Sequence, residues 1–263
     1  VALLIATPAL LLPGVSPDTA QMVMLVALCA AILTVFEYNS TYPCLYEFRD
    51  APPFNRIRFV SLFVTVFLLS LIVKGQTQPA LLPEFVESIG LLISRAVDFP
   101  YSPVRLVVLM LPENAPVHQL DMIRALAGLS YLISLVSLAV FVIAIRLTGW
   151  PMQNGSFNVW TNLPTFDPTA GRDVVGRLRR DSYVNIGLGI ALPFLMPMVV
   201  SSASNLFGAA AGGSPQTLIW TVTAWAFFPV SLLMRGIAMG RIAQMIEEKR
   251  KYSTISDAGF LPA

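Results

Sequence analysis

Histidine is almost missing from this chain: one residue in 263, His118. A b-type cytochrome needs paired histidines inside the membrane, and chlorophyll is commonly held through one. The chain is therefore expected to carry neither haem nor chlorophyll on its own histidine ligands. A zinc site needs more ligands than His118, Asp121 and Glu113 supply. Cysteine is scarce as well: Cys29 lies in an apolar run and Cys44 in a loop, which gives no disulfide framework. Charge is the third deficit. Asp, Glu, Lys and Arg make up 12% of the residues, against roughly 25% in a soluble domain, too few to coat a water-facing surface. No phosphate-binding loop, dinucleotide fingerprint or nucleophile elbow is present, and no enzymatic activity is expected.

What the chain does have is apolar residues, 56% of the total, with a mean hydropathy of +0.70. They come in long blocks separated by short polar segments, as in membrane chains. Five blocks approach the roughly 20 residues needed to cross the hydrocarbon core: 20–36, 59–73, 125–145, 183–206 and 217–234. In lipid each must satisfy its backbone internally, and no strand-like alternation is present, so each is expected to be helical. A sixth block, 1–12, ends at Pro13-Gly14. It serves either as a further crossing or as a short partner of the next helix. The expected fold is an all-α polytopic transmembrane bundle in one integral membrane domain, 1–263, with six spans preferred over five.

Basic residues set the orientation. Arg49, Arg56 and Arg58 fall between the first and second spans. Arg146, Arg172, Arg177, Arg179 and Arg180 fall between the third and fourth, and Arg235, Arg241, Lys249, Arg250 and Lys251 follow the fifth. The alternate segments hold only Lys74, Arg95, Arg105 and Arg124. This alternation predicts a bacterial inner-membrane protein with a cytoplasmic C-terminus. The long segment 74–121 contains apolar residues at three- and four-residue intervals over 81–98, which predicts an amphipathic helix in the membrane surface. Val104 to Met110 is apolar but too short to cross, and is expected to pack on the bundle.

Ionisable residues at membrane depth mark ion and proton pathways, and the five spans contain none. The fourth span carries Pro193 and Pro197, candidate kink sites whose freed carbonyls would either line a binding site or be satisfied by neighbouring serines such as Ser201, Ser202 and Ser204. Gly236 and Gly240 form a GxxxG pair, and Ser130, Ser134 and Ser137 share one face of the third span; both favour helix association within the chain or with partners. Trp220, Trp225, Phe227 and Phe228 give the fifth span an aromatic face. It serves as interfacial belt and core, or as a contact for lipid, carotenoid or a neighbouring subunit. Asp167-Pro168 reads as a helix start ahead of the basic segment GRDVVGRLRRD, and RIAQMIEEKRKY continues the last helix. Asn39-Ser40-Thr41 and Asn154-Gly155-Ser156 match the glycosylation pattern on the expected cytoplasmic side.

The loop from Glu37 to Phe59, EYNSTYPCLYEFRDAPPFNRIRF, resembles a segment of multi-span membrane proteins of roseobacter-like purple phototrophic bacteria. The layout is also similar to that of a six-helix auxiliary protein found with the reaction-centre and core light-harvesting complex of such organisms. The resemblance covers this loop and the topology, and none of it is a catalytic motif. It implies a subunit without pigment of its own, at an opening of the antenna ring, shaping the ring and its quinone passage. Its partners would be reaction-centre and light-harvesting polypeptides and membrane lipids. Any lipid, carotenoid, bacteriochlorophyll or quinone would be held by neighbouring subunits. The alternative reading is a small transporter or channel for an uncharged solute built around the fourth span.

Overall fold

Local caps that the apolar pattern alone does not carry fix where some of the long helices begin. In the computed structural model, which describes residues 1–112, 114–151, 158–164, 166–167, 173–207 and 214–259, every helix and strand element among those residues is an α-helix. After a short α1 (Ala2–Leu11), Ser16 caps α2 (Pro17–Asn39) by accepting the Thr19 amide at 3.2 Å, with Pro17 at the first helical position. Then come α3 (Phe54–Gly75), α4 (Leu81–Val97), α5 (Pro103–Val108), α6 (Val117–Leu147) and the single turn α7 (Val159–Asn162). A hairpin of α8 (Val174–Phe207) and α9 (Pro215–Gly259) ends the described chain. Asp173 caps α8, its Oδ2 accepting the Gly176 amide at 3.1 Å. The expected start at Asp167-Pro168 and the pattern Asn154-Gly155-Ser156 fall wholly or partly outside the described residues.

Five helices are long and apolar enough to cross a membrane: α2, α3, α6, α8 and α9. Of the expected six or five spans, five are present by length and composition among the described residues. The ten residues of α1 cover only about 15 Å at 1.5 Å per residue, half the hydrocarbon thickness. Instead α1 packs into the bundle against α2, α3 and α9, with Leu4, Ala6 and Thr7 buried.

The bundle has a core at each end. At one end Val66, Leu69, Ile72, Val104, Leu126 and Trp225 bring together α3, α5, α6 and α9. At the other, Phe48, Phe54, Phe141, Trp150, Leu178 and Met234 join two loops to the ends of α3, α6 and α8 and to the middle of α9. The basic residues Arg49, Arg56, Arg58, Arg146, Arg177, Arg179 and Arg180 lie in or beside these two loops, which meet edge to edge. The Phe48 amide donates to the Asn162 carbonyl at 2.7 Å, Asp50 N to Asn162 Oδ1 at 3.0 Å, and Trp150 Nε1 to the Ala51 carbonyl at 3.0 Å. Alternate loops thus share one end, as consecutive crossings require.

The amphipathic helix expected over 81–98 is α4, with three faces rather than two. Val86, Gly90 and Ser94 are buried against α6, while Glu84, Ser88 and Arg95 form a polar strip. Leu81, Leu82, Phe85, Ile89 and Leu92 point outward. Small residues make the closest approach, with Leu91, Ile93 and Val97 packing against the core beside them. A Cβ on Gly128 would lie 2.7 Å from Ser94 Cβ, and one on Gly90 would lie 3.0 Å from the Ala125 carbonyl. The short apolar stretch after it is α5, which packs on α6 and α8. In contrast, α2 buries only Ala27, and Met22, Leu25, Val26, Leu28, Leu33 and Phe36 all face outward.

Candidate functional site

Two places concentrate the residues singled out in the sequence: the loop from Glu37 to Phe59, and the hairpin of α8 and α9. The loop is tied down by its own charges. The Glu37 carboxylate accepts the amides of Cys44 and Leu45, both at 2.9 Å, and Arg49 donates to the Glu37 carbonyl at 3.1 Å and to that of Ser40. Across the bundle, Arg235 of α9 grips the loop's Glu47 through two nitrogens, at 2.6 and 2.8 Å, and donates to Asn185 of α8 at 3.1 Å. This bidentate pairing uses the planar fork of arginine. A second cation lies near the same carboxylate. Arg58 sits over Phe54 and Phe227, 4.9 and 5.8 Å from the ring centroids, and its Nε has no hydrogen-bond partner among the described residues. The loop therefore works as a clasp that joins α3, α8 and α9 at one end.

In the hairpin the chemistry is that of close packing. A Cβ on Gly236 would lie 2.8 Å from the Ser182 carbonyl, and one on Gly240 would lie 2.9 Å from Ser182 Oγ. Ser182 Oγ itself donates to the Gly236 carbonyl at 2.6 Å. The GxxxG pair thus faces α8 of the same chain. Pro193 and Pro197 both lie inside α8. Pro197 has no amide proton for the Pro193 carbonyl four residues back. Trp225 supplies the missing donor, its Nε1 reaching that carbonyl at 3.0 Å. Pro197 and Trp225 also line an apolar cavity of about 280 Å³ with Met110, Ile123, Met196 and Val222. Its wall offers an acyl chain or another uncharged, apolar body a place, and carries no charged group.

The four aromatics do not share one face. Trp225 is buried, Trp220 packs against the core, Phe227 lies under Arg58, and Phe228 alone points outward, 55% exposed. Ser130, Ser134 and Ser137 are buried in α6, where Ser130 and Ser137 donate to carbonyls three residues back. At the far end, Asp98 pairs with Arg105 and Arg124 at 2.8 and 3.0 Å, a structural tie between α4, α5 and α6. His118 is exposed, and no group of metal-binding side chains forms among the described residues. At the basic end, Arg250 donates to Asp173 at 2.8 Å, and that hydrogen bond, with the Gly176 amide, holds the carboxyl below its ordinary range.

Reading the sequence missed the Glu47–Arg235 pair and the Trp225 latch. Both join positions far apart in the chain: 188 residues separate Glu47 from Arg235. No local spacing signals either. The one available cue was Pro197, which guarantees an orphan carbonyl at Pro193 without saying who takes it. No protein-family model, curated protein or solved structure matches this chain. The chain is a multi-span helical membrane protein.

Proposed function

We propose that this protein is a non-catalytic membrane subunit that binds other integral membrane polypeptides through the outward face of α2. The observation that carries this reading is the imbalance between α2 and the rest of the bundle. The other four long helices contribute to the buried cores, whereas α2 buries one residue of 23 and leans mainly on α1. Association in lipid is driven by side-chain packing rather than by escape from water. A helix held along one edge leaves most of that packing for a neighbour. The charges support a structural role as well: Arg235 and Arg124 border the apolar blocks and are held in ties such as Glu47–Arg235 and Asp98–Arg124.

The resemblance of the Glu37–Phe59 loop narrows the proposal to an accessory of the photosynthetic reaction-centre and core light-harvesting complex, shaping the antenna ring and its quinone passage. In this reading the pigments and quinone belong to neighbours. The basic-loop end faces the cytoplasm of a bacterial inner membrane, following the bias of Lys and Arg. An impermeant thiol reagent should then label the exposed Cys44 only after the membrane is opened; labelling of intact cells would reverse the orientation.

The apolar cavity at Pro197 and Trp225 favours a second reading, a carrier or channel for an uncharged solute. Mild detergent extraction and native-gel separation, with absorption spectra and mass spectrometry of the band, decide between the two. Co-migration with near-infrared absorption and reaction-centre polypeptides is expected. A colourless band holding this chain alone would favour the solute carrier.

A further inference from the structure

At the basic end, the last turn of α6 and the extension of α9 leave a pocket of about 390 Å³ lined by Arg146, Arg241, Gln244, Ile145 and Ile237. Two guanidinium groups thus converge on one cavity. Neither forms an ion pair among the described residues, while Glu247 and Asp173 at the same end of the bundle are engaged by Arg179 and Arg250. Gln244 Oε1 accepts from Arg241 at 3.1 Å, which steadies that side chain and leaves the amide NH₂ as a further donor. The open carbonyls at the end of α6 oppose an anion, with a partial charge of about half a unit that two full guanidinium charges outweigh; that of Ala144 is already engaged by Thr148 N and Oγ1, at 3.0 and 2.8 Å.

The pocket's surroundings say where the anion comes from. Beside Arg146, Ile143 and Leu147 are 56% and 80% exposed, so this stretch of α6 still presents large apolar side chains outward. Ile145 and Ile237 add an apolar wall to the pocket itself. A basic pocket between helix ends with apolar surface beside it suits a lipid, with phosphate on the arginines and acyl chains along the helices. We infer that the pocket between α6 and α9 binds the phosphate of an anionic phospholipid headgroup through Arg146 and Arg241. No residue of α2 lines it, so it stands whether or not α2 docks a partner.

The test uses the full chain purified in non-ionic detergent, with phosphatidylglycerol or phosphatidylcholine added and retained lipid read by native mass spectrometry. The protein should retain phosphatidylglycerol over phosphatidylcholine by about thirtyfold, in line with two surface cations acting together. The double variant Arg146→Gln/Arg241→Gln should lose this preference, and Lys249→Gln/Lys251→Gln in the same basic tail should keep it. Equal retention by the double variant, or no preference in the wild-type protein, would overturn the assignment. So would displacement of the lipid by millimolar inorganic phosphate, which would make the pocket a free-anion site. Where the double variant does not fold, the single variants carry the test. Each should lose part of the preference, and two unchanged singles would contradict it.

Discussion

Asp173 stands where the basic loop turns into α8, and it performs two tasks at once. One oxygen caps the helix through the Gly176 amide, and the other accepts from Arg250 of α9. Both hydrogen bonds favour the ionised carboxylate, so its pKa lies below the ordinary 3.8, with the Arg250 bond the largest cause. A carboxyl with a depressed folded-state pKa stabilises fully above its unfolded value and loses that contribution as pH falls through the folded one. The α8–α9 tie should therefore be intact at neutral pH and loosen only below about pH 3.8. Spin labels replacing Gly176 and Lys251 should give a narrow distance distribution at neutral pH that broadens in acid. In Asp173→Asn it should be broad throughout; a distribution indifferent to both changes would show the tie to be idle. In the sequence, Asp173 stands out only as part of a basic segment. Its role as cap was legible in principle, since Asp precedes the helical run VVGRLRR, but Asp167-Pro168 offered a stronger local signal upstream. The Glu47–Arg235 pair was beyond such reading, because loop and helix meet only once four helices have packed.

At the scale of elements, the long apolar runs were legible because a membrane span must be apolar all along its length. Each of the five long helices nonetheless extends past its apolar block: the block 183–206 became α8 from Val174, and 217–234 became α9 to Gly259. Polar flanks stay helical because once a helix is nucleated each further residue adds a hydrogen bond at little cost. Helix faces were harder to read. In α4 the face against α6 is chosen by close approach, with Gly90 and Gly128 admitting backbone where Leu81 and Phe85 could not fit. Periodicity reports which residues are apolar; it does not report which of them are small enough to be inside. The latch between α8 and α9 makes this point testable. Replacing Trp225 by Phe keeps an aromatic body in the core and removes the donor to the Pro193 carbonyl. Leaving that buried carbonyl alone should lower stability by about 1–3 kcal/mol, seen as an earlier thermal unfolding in detergent. An unchanged midpoint would mean that another group or water takes over the carbonyl.

Viewed as a whole, the molecule has an anchored end and an unpartnered side. The basic end is closed by two interlocked loops, the Arg235 clasp and the aromatic cluster of Phe48, Phe54, Phe141 and Trp150. The opposite end is closed by α4 and α5 packed over α3 and α6. Between them α2 stands against α1, tied to the rest near its C-terminal end, where Thr34 meets Tyr46 at 3.1 Å and Glu37 holds the loop. A rigid bundle with one apolar helix displayed along its side is an arrangement for lateral binding. The most direct test places photo-crosslinking residues at Leu25, Val26 and Phe36 of α2, with Val136 on α6 as a comparison, in cells that make the protein natively. The account predicts that α2 positions capture a distinct integral membrane polypeptide, identified by mass spectrometry, while Val136 captures mainly lipid. Lipid alone at all four positions would contradict it.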